Sequence, residues 1–329
     1  MKKFLLPENI DGYKANLHCH SNQSDGKHTP SEVKAEYKKR GYSIVAFTDH
    51  EHLIDNSHLS DDEFLAITAF ELGFKEKPSE HSASNPNMRV THFNAYALNP
   101  HNDITSCYSS IYDYYGSEEL RASIKRDGEY NRLQTTDGIN EVLRILNEKG
   151  FIVCYNHPTW SLENATHYLG YKGLFAVEIY NGGSVLNGSC DDEHVYDDLL
   201  RAGNKLFCIC ADDMHSFANG FGGWVCINAE KLEYPTILNA LQQGDFYAST
   251  GPQIFSLVRD ENKVKIKTSP CQKISFLTGT RRAVALRAKD GESLNEGEFT
   301  LKDTDNYFRI RVTDEYGHSA YTQAYFLEN

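Results

Sequence analysis

The sequence predicts an α/β protein: a parallel sheet or barrel of alternating strands and helices, followed by a small all-β domain. Three observations carry this. Apolar, often β-branched runs alternate with helix-length amphipathic segments up to about residue 250. Several runs are almost wholly apolar, as strands buried on both faces are. After "YASTGP" only short alternating runs such as "VKIKT" and "YFRIRVTDEYG" remain. The expected domains are 1–252 and 253–329.

The strands expected in order are "KANLHCH", "SIVAFTDH", "FLAITAFE", "VTHFNAYAL", "FIVCYNH", "LFAVEIYN", "KLFCICADD" and "WVCIN". Helices lie between them. "TPSEVKAEYKKRG" opens with Thr29 as N-cap, Pro30 as first helical residue and Glu32 completing a capping box, and Gly41 closes it. "TDGINEVLRILNEKG" carries Ile139, Val142, Leu143 and Leu146 on one face. "DDEHVYDDLLRAGN" and "PTILNALQQGD" repeat the plan. Residues 75–88 read as a polar loop. Residues 101–135, rich in Tyr, Ser and charge, read as a lid or substrate loop.

A chain of 329 residues suits one large domain plus a small one. The net charge of −13, with no Lys/Arg block, argues against a nucleic-acid polymer as partner. No apolar run reaches the length of a membrane span, and Pro7, Glu8 and Asn9 cut the opening apolar stretch too short for a signal peptide. The 8 cysteines form no CxxC pair and read as reduced thiols, so a cytoplasmic location is expected. Oligomeric state stays open.

The chemistry is concentrated at strand ends. His18 and His20 follow "KANL", and Asp25 lies five residues on. Asp49 and His50 follow "SIVAFT", and Glu71 follows "FLAITAF". His157 follows "FIVCYN"; Asp212, Asp213 and His215 follow "KLFCICA". Period-two spacing puts His18 and His20 on one face. In a β/α barrel the carboxyl ends of the strands form one rim, where active sites sit. Five strands delivering imidazole or carboxylate to it point to a metal site. His92 falls inside its strand run rather than at the end.

The segments "HCHSNQSDG", "FTDH", "EL", "THFNAYAL", "NHP" and "ADDMH", in that order, resemble the motifs of the polymerase-and-histidinol-phosphatase (PHP) superfamily. The likeness covers roughly residues 14–250. "LQQGDFYASTGP" and "AYTQAYFLEN" further resemble a branch with a C-terminal β extension, which includes a carbamate hydrolase. The resemblance implies a distorted (β/α)7 barrel and two or three divalent metal ions (Zn, Mn or Fe). Carried over by position, His18, His20, Glu71 and Asp213 would bind one metal. Glu71 would bridge to a second, with His92 and His157. Asp25, His50 and His215 would hold a third. Asp49 and Asp212 would orient imidazoles.

The activity so implied is that of a metal-dependent phosphoesterase. Metal-activated hydroxide would attack phosphorus in a small phosphorylated metabolite, with Glu71, His157, Asp213 and His215 as the catalytic set. The alternative on the same site is hydrolysis of a carbamate, amide or carboxylic ester. Asn181, Arg121 and Arg132 are the expected substrate contacts. A phosphate-clamping Arg at the rim would favour phosphoester chemistry, and an apolar rim the alternative.

Overall fold

The computed structural model describes residues 2–7, 12–77, 80 and 84–327. All eight expected strands form: Gly12–Asn16, Ile44–Phe47, Leu65–Lys75, Val90–Ala97, Phe151–Tyr155, Ala176–Asn181, Phe207–Ala211 and Trp224–Asn228. Helices Pro30–Lys39, Thr136–Glu148, Glu193–Arg201 and Tyr234–Gln243 fall where the apolar faces require. The first has the predicted capping box: Thr29 accepts from the Glu32 N–H, and Glu32 accepts from the Thr29 N–H at 2.8 Å. None of the described helices is long and apolar enough to cross a membrane.

The sheet is mixed rather than all parallel. Across it the order is 207–211, 176–181, 151–155, 90–97, 65–75, 44–47, 12–16, 224–228 and then Phe246–Ser249. The Val90–Ala97 strand runs antiparallel to both neighbours. A parallel return needs a crossover, usually a helix, and the described residues between 76 and 89 form none. This reversal explains His92. It lies near the start of a strand that runs backwards, paired with Gly73, and so reaches the same rim as Glu71.

The expected barrel is not closed by a backbone ladder among the described residues. Trp224–Asn228 takes the place beside Gly12–Asn16 that a closing strand would need, and it runs antiparallel there. Phe207–Ala211 instead lies alongside the 224–228 and 246–249 strands. A side chain spans part of that seam. The Gln323 amide accepts from Cys208 N–H (2.8 Å) and donates to the carbonyls of Cys208 (3.1 Å) and Phe246 (3.3 Å). At the rim, His20 N–H donates to Met214 O at 2.9 Å.

Beyond residue 252 the regular elements of the described residues are all strands apart from one short 3-10 turn, but the main sheet there is not separate. Ser319–Tyr321 pairs with Phe246–Ser249, so the large sheet continues through Tyr307–Thr313 and Lys273–Thr278 to Ala283–Arg287. A second sheet holds Ile254–Asp260, Lys263–Cys271, Leu294–Thr300 and the N-terminal strand Lys2–Leu6. Leu6, Leu257, Ile266, Phe276 and Phe299 are buried together between the two sheets. Arg309, 1% exposed, ties this region to the Glu193–Arg201 helix through Glu193 (2.8 Å) and Asp197 (2.8 Å).

Candidate metal centre

Strand ends bring nine side chains into one pocket. They form three adjoining groups: His18, His20 and Asp213; Glu71, His92 and His157; and His20, Asp25, His50 and His215. Within each group the possible ligand atoms lie within 4.8 Å of one another. These are the nine residues singled out in the sequence, with His20 shared between two groups.

Glu71 is the hub. Its Oε1 lies 3.3 Å from His92 Nδ1 and 3.4 Å from both His157 Nε2 and His18 Nε2. Its Oε2 lies 3.0 Å from His50 Nδ1 and 3.5 Å from His20 Nε2. Asn156 donates to Oε1 at 2.7 Å and fixes the carboxylate plane. Asp213 Oδ1 faces His18 Nε2 (3.2 Å) and His20 Nε2 (3.0 Å). Asp25 closes the outer side, 3.4 Å from His215 Nε2 and 3.6 Å from His50 Nε2.

The donor set fits divalent metal ions. His18 Nε2 and His20 Nε2 point at each other across 3.2 Å, and both also face a carboxylate oxygen. His20 Nδ1 and Asp213 Oδ1 are buried without a hydrogen-bond partner. Buried polar atoms rarely stay unsatisfied, and lone pairs converging on one point are what a cation needs. Mixed imidazole and carboxylate donors suit Zn, Mn or Fe and do not choose among them.

A carboxylate that the sequence reading passed over organises this pocket. Glu178, fully buried, accepts from His18 Nδ1 (3.0 Å), from the His157 backbone N–H (3.0 Å) and from Asn181 Nδ2 (2.8 Å). Its signal was a lone charge inside the apolar run "AVEIYN", since a buried charge must be partnered. Asn181, expected as a substrate contact, is engaged within the protein. Its Nδ2 also reaches Asp213 Oδ2 at 3.2 Å, and its Oδ1 caps Ser184 N–H at 2.8 Å. His157 and Asp213 both adopt positive φ, 26° and 51°, a strained state for residues with a Cβ.

Asp49 and Asp212 make their side-chain hydrogen bonds to hydroxyl and backbone groups rather than to imidazoles. Asp49 accepts from Ser21 N–H, Ser21 Oγ and Ser24 Oγ, each at 2.8 Å, and so shapes the turn that presents Asp25. Asp212 accepts from Tyr37 (2.7 Å) and from the Gly222 and Gly223 N–H groups, holding the loop that follows Asp213.

The two expected substrate arginines are also committed elsewhere. Arg132, 1% exposed, makes a bidentate pair with Glu51 (3.2 and 2.6 Å) and lies 4.1 Å over the Tyr112 ring. Arg121 donates to the carbonyls of Tyr115 (3.3 Å) and Gly116 (2.7 Å). The excursion they belong to does reach the pocket. Tyr115 stacks on His50 at 4.4 Å, and Gly116 N–H donates to Ser24 O at 3.2 Å. On the other side the exposed Trp160 ring lies 4.8 Å from His157 and 5.6 Å from His92.

Carboxylates and imidazoles shift one another's protonation throughout the cluster. Burial opposes the charge on Glu71, but His92, His18 and His50 hold its carboxyl well below the usual range. Burial opposes Asp213 likewise, and His18, His20 and His215 hold it well below. Burial disfavours a cation at His18, yet Asp213, Glu71 and Glu178 raise it well above an ordinary histidine. His215 is carried against burial to about 9 by Asp25 and Asp213. His20 goes the other way, to about 3, through burial and its neighbours His215 and His50.

These directions set a pH dependence. A histidine whose pKa is raised by folding stabilises the metal-free protein below its unfolded value, and that stability is lost as pH rises through the folded value. Metal binding must displace the same protons. Metal affinity is therefore expected to rise between about pH 6.5 and pH 9, with proton release, while the melting temperature of the metal-free protein falls. Zinc titration against a competing chelator across this range, with melting of chelator-treated protein, checks both. A flat affinity would contradict the arrangement.

No protein-family model and no curated protein matches the chain. It is similar to several solved structures. One is a two-domain protein containing a predicted PHP-like metal-dependent phosphoesterase from Bacteroides vulgatus, at 13% identity and TM-score 0.46, covering 99% of this chain and 98% of that one. Another is an amidohydrolase from Chromobacterium violaceum with bound sulfate and no metal, at 13% identity and TM-score 0.42, covering 70% and 96%.

Proposed function

We propose that the protein is a PHP-type metal-dependent hydrolase that cleaves a phosphoester of a small metabolite. The observation that carries this is the convergence of nine imidazole and carboxylate side chains into three adjoining groups. His18, His20 and Asp213 would hold one ion, Glu71, His92 and His157 a second, and Asp25, His50 and His215, with His20, a third. Bound there, divalent ions supply Lewis acidity and lower the pKa of water, which neutralises the charge that grows in phosphoryl transfer.

The chain's own residues do the rest. Glu178 keeps the His18 proton on Nδ1, so that Nε2 presents its lone pair to the pocket. Asn156 and Asn181 fix the Glu71 and Asp213 carboxylates. Asp25 and His215, the most exposed of the nine, border the opening through which an anionic group enters. Tyr115 covers His50 and limits water there.

Carbonyl chemistry is the second reading, and a specific observation favours it. Arg121 and Arg132 are engaged inside the protein, so neither is free to clamp phosphate. The test is one panel of phosphomonoesters, phosphodiesters, carbamates and carboxylic esters. Each is assayed on protein stripped of metal and reloaded with Zn, Mn or Fe, with metal content measured on the same sample. Turnover confined to phosphoesters supports the first reading, and turnover confined to carbonyl substrates the second. No turnover by fully loaded protein would defeat both.

A further inference from the structure

Trp160 stands out because nothing in the core requires it. The indole is 43% exposed, whereas the chain's other tryptophan, Trp224, is 7% exposed. Leaving a large aromatic surface in water forgoes burial energy, and such residues at a pocket mouth commonly contact ligands.

The turn that carries Trp160 is tightly held. Thr159 N–H donates to Asp192 at 3.1 Å, Ser161 N–H donates to His157 O at 3.1 Å, and Ser161 Oγ meets His157 Nδ1 at 3.2 Å. Pro158 stiffens its start. The indole stands nearly perpendicular to the His157 ring (78°) and is tilted 45° to His92. Its location relative to the pocket is therefore set before any ligand arrives.

A second aromatic wall faces the same row of imidazoles. From Tyr115 the rings run in series to His50 (4.4 Å), from His50 to His92 (5.6 Å), and from His92 to Trp160 (5.6 Å). Among the described residues the nearby cations are engaged within the protein: Lys75 Nζ donates to the Tyr114 hydroxyl (2.6 Å) and Arg121 to the Tyr115 and Gly116 carbonyls. Arg89 pairs with Glu163, Arg126 with Asp113 and Arg132 with Glu51. The Tyr115 and Trp160 rings thus present flat surface at either end of the His50 and His92 pair.

We propose that Trp160 is a specificity-determining residue that selects a substrate whose leaving group carries a planar, uncharged ring. Trp160 stacks on or edges against that ring while the scissile group sits over the metal-ligand cluster. The inference rests on the hydrolase reading above, yet it does not depend on which acid is esterified. A rigid aromatic contributes contact area with little loss of conformational freedom, so truncation should act on ring-bearing ligands alone.

The test uses metal-loaded protein and two non-hydrolysable probes, 4-nitrobenzylphosphonic acid and n-butylphosphonic acid. Trp160→Ala should weaken binding of the nitrobenzyl probe about tenfold, while the butyl probe stays within about twofold. Trp160→Phe should keep the affinity for the ring. The nitroaromatic should quench wild-type tryptophan emission saturably, and this quenching should vanish in Trp160→Phe, where only the buried Trp224 remains. Metal content should be unchanged in both variants. Equal loss of both probes, or no loss of either, overturns the proposal; the first result would mean that Trp160 merely shields the His92 and His157 rings. With benzyl and n-butyl esters, whose leaving groups are similarly basic, the wild-type preference for benzyl should disappear in Trp160→Ala. Absence of turnover by loaded protein would count against the hydrolase reading and leave the probe-binding comparison to decide this one.

Discussion

Replacing Glu71 by glutamine is expected to remove at least one metal ion per chain and to lower kcat by a factor on the order of 10³ or more. Glu71 is 1% exposed, and its two oxygens lie within 3.5 Å of ring nitrogens from His18, His20, His50, His92 and His157. Those five imidazoles come from all three groups, so one carboxylate links them. Glutamine keeps the shape but removes the charge and turns one oxygen into a donor. That donor would face imidazole nitrogens whose lone pairs are wanted for metal. The carboxyl of Glu71 is held well below the usual range, so it favours the metal-free fold above the ordinary carboxylate range and less as pH falls. The substitution should therefore also flatten the acid limb of the metal-free protein's stability profile. Elemental analysis, steady-state kinetics and melting on one preparation separate these effects. A variant with full metal content and wild-type kcat would show that Glu71 does not bridge the groups.

The positions of most of the nine candidate ligands were readable because strand alternation and strand ends are local properties. His18 and His20 had to share a face, and His50, Glu71, His157 and Asp213 each closed an apolar run. His92 was readable as a residue type but not as a position, because strand direction depends on what lies between two strands. The described residues between 76 and 89 form no crossover helix, and the strand runs antiparallel, so its start becomes the rim. That no backbone ladder closes the sheet among the described residues was not legible for a related reason. Which strand sits beside Gly12–Asn16 is a long-range choice, and no residue of that segment announces Trp224–Asn228 as its partner.

Charges away from the strand ends were harder. Arg132 reads as a loop cation from its neighbours, and only the fold brings it to Glu51. The family resemblance assigns Asp49 and Asp212 as partners for imidazoles, and both lie close in sequence to a candidate ligand. In a strand, however, successive side chains point to opposite faces, so the neighbour in sequence is a poor guide to the neighbour in space. The carboxylate that does reach His18 lies 160 residues further on. Hydrogen bonds of that span leave no periodic trace, and only the oddity of a charge in "AVEIYN" hinted at it.

That carboxylate carries the second large expected effect. Glu178→Gln should weaken metal affinity about 10- to 100-fold, while kcat at saturating metal recovers most of its value. Glu178 serves three donors at once: His18 Nδ1, the His157 N–H and the Asn181 amide. A glutamine has one acceptor oxygen. If that oxygen keeps His157 and Asn181, its amide group faces His18 Nδ1 and pushes the imidazole proton to Nε2, the atom that points into the pocket. If it keeps His18 instead, two donors are left facing an amide donor, at a cost of about 1–3 kcal/mol for each buried group left unpaired. The second orientation loosens His157 and, through Asn181, Asp213, the two ligands whose positive φ angles need support. Either way the groups around His18 and His157 lose preorganisation while all nine ligand side chains remain. Activity followed against free metal concentration reads this as a shift in half-saturation. A curve superimposable on wild type would mean that Glu178 is packing, and that the His18 tautomer is set by something else.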